Sequence, residues 1–408
     1  MKSSYQPSQE LLKKYAHLLV NFALGLGKGI KRGDIVRVTC GEFAEPLYIE
    51  IYRAIIKSGG HVISNYYPDD DRKRFSPSRD FYEFANDEQL RFFPKKYYKA
   101  LADTVDHHLV ILADVDKQAL KGIDPKKMML RGETLKPFKR WLDKKENEGR
   151  YSWSIAMYGT PAGAKEAGLS YKAYWQEIIK ACYLDQKDPI KAWRKTLAQM
   201  KTIGTKLNKL PAKKFHIKGQ DVDLFITWGK KRKWIWSTGH NIPSFEIFTS
   251  PDWRGTEGWI RFSEPLYRYG NRIEGIQLWF KDGCVVRSKA TKNEHVLKQM
   301  IATRNADKVG EFSMTDRRFS RITKFMAETL FDENVGGTNG NTHIALGNAY
   351  QDGYAGDMTK LSKKDWRELG FNESSVHTDI VSTTPRTVTA VLKNGKEKVI
   401  YRNGMFTI

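Results

Sequence analysis

The spacing of apolar and polar positions divides the chain into two textures. Between Ser8 and Phe22, apolar residues fall at Leu11, Leu12, Tyr15, Leu18, Leu19 and Phe22. Steps of three and four predict an amphipathic helix, with Ser8 as its N-cap. Asp34–Cys40 reads as a strand entered from a Lys-Arg-Gly turn, and Ala44–Ser58 as a helix ending at Gly59-Gly60. His61–Tyr67 and His108–Val115 read as further strands. Strands alternating with helices predict a parallel α/β layer over roughly the first 120 residues.

Residues 121–210 are Lys-rich and read as helical, with apolar positions at Trp175, Ile178, Ile179, Tyr183, Trp193 and Leu197. Leu210–Lys214 reads as a connection. From Phe215 the texture changes to short β-type runs, with hairpin turns at Asp282-Gly283 and Asn394-Gly395 and one helix near Asn293–Arg304. The predicted fold is therefore an α/β N-terminal domain with a parallel sheet and a basic helical segment, residues 1–210. An α+β C-terminal domain with a largely antiparallel sheet follows, residues 211–408. There is no internal repeat.

Composition sharpens this picture only in part. The 408 residues are 40% hydrophobic and 28% charged, which excludes disorder for the bulk of the chain. Lys and Arg outnumber Asp and Glu by 69 to 47, a net charge of +22, which invites a nucleic-acid or anionic-surface reading. Lys121–Lys233 alone holds 27 basic and 11 acidic residues, so +16 of that excess lies away from the carboxylates and histidines of the C-terminal third. The run Lys230–Trp236 is either a stacking platform for single strands or a hairpin tip entering a strand, and the second reading is favoured. Neither a nucleic-acid partner nor a membrane is expected.

Three scattered cysteines, Cys40, Cys182 and Cys284, indicate neither a disulfide framework nor a thiolate zinc site, and read as buried thiols. The first residues, MKSSYQPSQELLKK, carry no apolar core of a signal peptide, and no stretch reaches 18 apolar residues. The expectation is a soluble, cytoplasmic protein. Familiar motifs fail: Gly25–Gly29 follows a helix rather than a strand, no G-x-S-x-G is present, and Glu294-His295 lacks the second histidine of H-E-x-x-H.

Candidate chemistry sits in the second half, at turns and strand ends. Glu246 lies in NIPSFEIFTSP and Glu311 in KVGEFSMTD. Glu333 and His343 bracket the loop DENVGGTNGNTHIALG, and Tyr350 follows it. In SSVHTDIV, strand alternation places His377 and Asp379 on one face. Carboxylates and imidazoles without thiolate suit divalent Zn, Co, Mn or Mg, and carboxylates that bridge two cations recur in aminopeptidases and phosphatases. The spacing itself leaves peptidase and phosphoesterase open.

These blocks, in this order, together with AEPLYIEIYRAIIKSGGHVI, DPIKAW at Asp188–Trp193 and the closing VLKNGKEKVIYRNGMF, resemble the leaderless, thermophilic-type metallo-aminopeptidases, the aminopeptidase T, aminopeptidase S and PepS family. The resemblance covers essentially the whole chain. It implies release of the N-terminal residue from peptides with a free N-terminus, through two divalent ions and a bridging hydroxide. Carried over by position, Glu246, Glu311, Glu333, His343, His377 and Asp379 fall on or beside the metal positions. Glu311 is the implied bridge between the ions, and Asp379 a second candidate for bridging. His377 is implied as ligand or acid–base group and Tyr350 as stabiliser of the oxyanion, so that Glu311, Tyr350 and His377 form the catalytic set. A homodimer enclosing its sites is also implied. The chain departs from the family at Phe245, where a first glutamate usually precedes the second, and in a longer Glu333-to-His343 loop.

Overall fold

The structure, a computed structural model, describes residues 5–408. Of the N-terminal stretch read above for targeting signals, residues 1–4 therefore lie outside the described residues. Ser8 caps the first helix, Gln9–Leu18, by accepting the Leu11 N–H, and a π-helical turn, Leu19–Ala23, continues it. The glycine cluster ends that helix: Gly25, Leu26, Gly27 and Gly29 all have positive φ. A Cβ at Gly29 would lie 2.6 Å from the Asn21 carbonyl oxygen, so the cluster is a helix terminus and not a phosphate cradle.

The first sheet is wholly parallel, in the order His61–Tyr67, Ile35–Gly41, His107–Leu112, Ser152–Met157, Asn241–Ile242. The Ser152–Met157 strand interrupts the stretch expected to be helical; the rest of that stretch forms helices Pro125–Asn147, Pro161–Glu166, Tyr171–Ala181 and Pro189–Asn208. Asn241–Ile242 comes from beyond residue 210 and still joins this sheet. One continuous apolar cluster runs from Leu12 to Phe406 and takes in both sides of the Leu210–Lys214 connection.

The second half builds two large antiparallel sheets and a two-stranded one, Leu266–Arg268 with Asn271–Ile273. An eight-stranded sheet has Asp252–Arg261, Val222–Thr227, Ala212–Gly219 and Arg386–Leu392 at its centre. A five-stranded sheet follows the order His377–Ser382, Asn341–Gly347, Val309–Thr315, Glu246–Thr249, Ile235–Trp236. Phe215 of the first and Phe312 of the second meet with ring centres 6.4 Å apart, and Trp234 packs against both. The apolar face of the five-stranded sheet is thereby consumed, leaving its other face for polar groups.

The Asp282-Gly283 and Asn394-Gly395 hairpins form at the turns predicted for them, Asp282 and Gly283 both with positive φ. The interrupting helix is Glu294–Ile301. Of the cysteines, Cys40 and Cys182 are buried but Cys284 is only partly so, because it ends a surface hairpin. In the basic run 230–236, Trp234 is fully buried, and the buried guanidinium of Arg232 donates to the carbonyls of Lys230, Ser250 and Leu369. That run is structural and presents no stacking platform. Among the described residues no helix is long and apolar enough to cross a membrane.

Candidate metal centre

Strand register assembles the site. Directly opposed residues of an antiparallel pair share a face. Thr315 pairs with Glu246, Ser313 with His343, and Ala345 with both Glu311 and Asp379. His377 opposes Gly347 at the end of the same face. Glu246, Glu311, His343, His377 and Asp379 therefore project from four neighbouring strands onto one surface. Glu333 arrives from the side, just after the short helix Thr329–Asp332. The alternation that put His377 and Asp379 on one face is observed, with His377 Nε2 3.5 Å from Asp379 Oδ1.

The centre is tight. His343 Nε2 lies 3.2 Å from Glu246 Oε2, 3.2 Å from Glu311 Oε1 and 3.9 Å from Asp379 Oδ1. His377 Nε2 lies 3.8 Å from Glu311 Oε2. A single imidazole N–H cannot satisfy three carboxylates, and the shortfall is visible: Glu311 Oε2 and Asp379 Oδ1 are buried without a hydrogen-bond partner, as is His343 Nδ1. Buried carboxylate oxygens left unpaired are costly. A cation among them removes that cost, so the residues present fit a divalent metal. Three overlapping groups have ligand atoms within 4.8 Å of one another: Glu246, Glu311 and His343; Glu311, His377 and Asp379; Glu333, His343 and Asp379. Glu311 belongs to two of them.

Electrostatics point the same way. Burial, reinforced by the Glu246 and Asp379 charges, pushes the Glu311 carboxyl up to about 7 despite its contact with His343. Burial, with Glu246 and Asp379 again, lifts Glu333 well above the carboxylate range. Burial disfavours the imidazolium of His343, but hydrogen bonds with Glu246 and Glu311 outweigh it and raise its pKa well above the ordinary value. Asp379 is pulled down to about 2, burial being overcome by His377 and then His343. Burial and mutual repulsion among these acids thus penalise negative charge that a cation would offset.

Other groups hold the ligands still. Ser313 Oγ donates to Glu246 Oε2 at 3.0 Å, and Ser244 Oγ lies 3.4 Å from Glu246 Oε1. His377 Nδ1 hydrogen-bonds the Asn348 carbonyl at 2.8 Å, which leaves Nε2 facing the carboxylates. Tyr350 lies with its ring 4.7 Å from that of His377; burial and the nearby acids keep its phenol protonated. Phe245 does not face the site: it is fully buried and stacked on Trp193 at 5.0 Å, with its N–H donated to the Asn334 side chain. Ser313 and Ala345 were not singled out in the sequence. Alternation within GEFSMT was the available signal for Ser313, and Ala345 follows only from register.

A thiol-free set of carboxylates and imidazoles on one sheet face, with unpaired oxygens at its middle, defines a metalloenzyme centre of the divalent-cation class. The chain belongs to the thermophilic metalloprotease family (M29), whose model matches residues 8–406. It is 28% identical to aminopeptidase PepS of Streptococcus thermophilus, with 98% of each chain covered. It is likewise 28% identical to aminopeptidase T of Thermus thermophilus, covering 97% of this chain and 98% of that one. Among solved structures, wild-type AmpT from Thermus thermophilus superposes with a TM-score of 0.80 at 24% identity, covering 98% of this chain and all of that one, a likeness of fold. A 2,5-dihydroxypyridine dioxygenase from Pseudomonas putida KT2440 shares the architecture more loosely, with a TM-score of 0.53 at 12% identity over 98% of each chain. The fold on its own therefore does not specify the chemistry.

Proposed function

We propose that the chain is a metal-dependent aminopeptidase that releases the N-terminal residue of peptides, working with two divalent cations of the Zn, Co, Mn or Mg type. The observation that carries the reading is His343 Nε2 held 3.2 Å from both Glu246 and Glu311 beside unpaired carboxylate oxygens. Membership of a protease family favours peptides over phosphoesters as substrates. Glu246, Glu311, Glu333, His343 and Asp379 would hold the ions, with Glu311 shared between them and His377 standing beside them as the acid–base group. When bound, the cations supply positive charge that acidifies water and polarises the scissile carbonyl.

The chain's own groups do the rest. His377, with Nδ1 committed to Asn348, has Nε2 free to hold a proton and pass it to the leaving amine. Tyr350, protonated and packed on His377, offers its hydroxyl to the developing oxyanion. The buried acids of the cluster offer a partner for the substrate's α-ammonium, which favours cleavage at a free N-terminus. A cytoplasmic homodimer belongs to the same reading.

The test is hydrolysis of aminoacyl p-nitroanilides. Turnover is expected, with loss in EDTA and recovery on adding Co, Zn or Mn. Glu311→Gln is expected to abolish turnover while the far-UV circular dichroism stays native. Activity that survives exhaustive chelation would overturn the reading.

A further inference from the structure

Open α/β sheets bind ligands beyond the carboxyl ends of their strands, where the strand order reverses. In the first sheet the chain passes from Ile35–Gly41 outward to His61–Tyr67, then returns to His107–Leu112 on the other side. A cavity of about 230 Å³ lies beyond these strand ends, lined by Asp70 after one strand and by Asp114, Asp116 and Lys117 after another. Its opposite wall comes from the second half of the chain. The hairpin Leu266–Arg268/Asn271–Ile273 reaches across and turns at Tyr269 and Gly270, both with positive φ. Its tip is pressed so closely onto the first half that a Cβ at Gly270 would stand 2.4 Å from the Leu120 carbonyl carbon. Glu328 and Thr329, which open the short helix leading to Glu333, complete that wall.

Every acid lining this cavity already has a partner. Asp70 accepts the Ser76 hydroxyl and the Ser78 N–H, each at 2.8 Å. Asp116 is held by Arg72, and Lys117 pairs with both Asp114 and Glu328. Arg268, the cavity's other cation, has none: its side chain shows no ion pair or hydrogen bond among the described residues, its Nε is buried and unsatisfied, and its guanidinium lies 4.9 Å from the Tyr269 ring centre. The helix that begins in this wall, Thr329–Asp332, runs directly into Glu333, which ties the cavity to the metal centre. A guanidinium stacked on an aromatic ring and left with free donors is prepared for a planar, two-oxygen anion.

We propose that Arg268 is a specificity-determining residue that binds a carboxylate of the peptide substrate in this cavity, whose wall leads into Glu333 of the metal centre. The carboxylate is either the C-terminus of a di- or tripeptide or an acidic side chain adjoining the scissile bond. This rests on the aminopeptidase reading above and adds to it a class of preferred substrate: short or acidic peptides.

The experiment compares kcat/KM for three substrates sharing one N-terminal residue: a tripeptide with a free C-terminus, its C-terminal amide, and the amide with Asp at the second position. In the wild type, at least one carboxylate-bearing peptide is expected to exceed the neutral amide by roughly 10- to 100-fold, the effect of one charge-assisted contact. Which one exceeds it identifies the source of the carboxylate. Arg268→Gln is expected to bring that ratio close to one, mainly through KM, and Arg268→Lys to restore part of it. A wild-type ratio near one, or an unchanged ratio in Arg268→Gln, would overturn the assignment. Should no peptide be hydrolysed by the wild type, the aminopeptidase reading fails, and Arg268 is decided separately by calorimetric binding of the same peptides to EDTA-treated protein. Loss of the carboxylate preference in Arg268→Gln then supports the proposal, and equal binding by both proteins overturns it.

Discussion

Ser313 donates its hydroxyl to Glu246 at 3.0 Å from the centre of the strand that also carries Glu311. The serine is fully buried and sits opposite His343, so it orients one ligand from beneath another. Partners of this kind commonly carry 10- to 100-fold of metal affinity. Ser313→Ala is accordingly expected to weaken metal binding by about 10-fold or more while leaving the fold unchanged. Competition against a chromophoric chelator measures this, and equal affinity in the two proteins would remove Ser313 from the site.

Metal should also stabilise the fold. The cluster sets four acids beside two imidazoles, and burial with the neighbouring acids raises the pKa of Glu311 and Glu333 there. A ligand that binds only the native state contributes about 2.7 kcal/mol at one hundred times its dissociation constant. Scanning calorimetry in EDTA and then with excess Zn or Mn is expected to show a higher Tm with metal. In Glu311→Gln most of that increment should vanish, since Glu311 belongs to two of the three ligand groups. A metal-induced rise equal to wild type would argue against Glu311 as a ligand.

Tyr350 offers a cleaner separation of binding from chemistry. Its ring is wedged between His377 and Phe248, and its backbone N–H is held by Ser250, so the phenylalanine variant keeps the packing. Tyr350→Phe is expected to lower kcat by roughly 100-fold, as for loss of one oxyanion donor, with KM and metal stoichiometry close to wild type. A loss confined to KM would instead make Tyr350 a substrate-binding group.

Much of this centre was legible because strand alternation is local. His377 and Asp379 are two residues apart, and no long-range information is needed to put them on one face. Alternation also explains Phe245: its neighbour Glu246 faces the cluster, while Phe245 stacks on Trp193, so its apolar side chain meets an apolar environment. Register is not local. Ala345 leaves the middle of the row between Glu311 and Asp379 open only because three strands pair as they do, and a bulge between Val309 and Glu311 helps fix that pairing. Arg268 escaped for the same reason, since its significance lies in a cavity made by segments about 150 residues apart in sequence. The Ser152–Met157 strand was hidden by its setting among Lys-rich helices, and its neighbours in the sheet come from residues 107–112 and 241–242.

The first sheet carries its own pH signature, apart from the metal centre. His108 is held by Thr39 at 2.7 Å, and burial, aided by the Arg37 charge, lowers its pKa from 6.5 to about 4. The folded state therefore resists a proton that the unfolded chain accepts. Above pH 6.5 both states carry neutral imidazole and nothing is lost. As pH falls below 6.5 the unfolded chain takes up the proton first, and stability declines until pH 4, where the folded state is protonated too. Between pH 7.5 and pH 5 the loss amounts to about 2 kcal/mol. Urea unfolding at those two values, with EDTA present throughout, should show His108→Gln losing about that much less than the wild type, because the carboxylates titrate alike in both proteins. Parallel losses would mean that His108 binds its proton as readily in the folded chain as in the unfolded one.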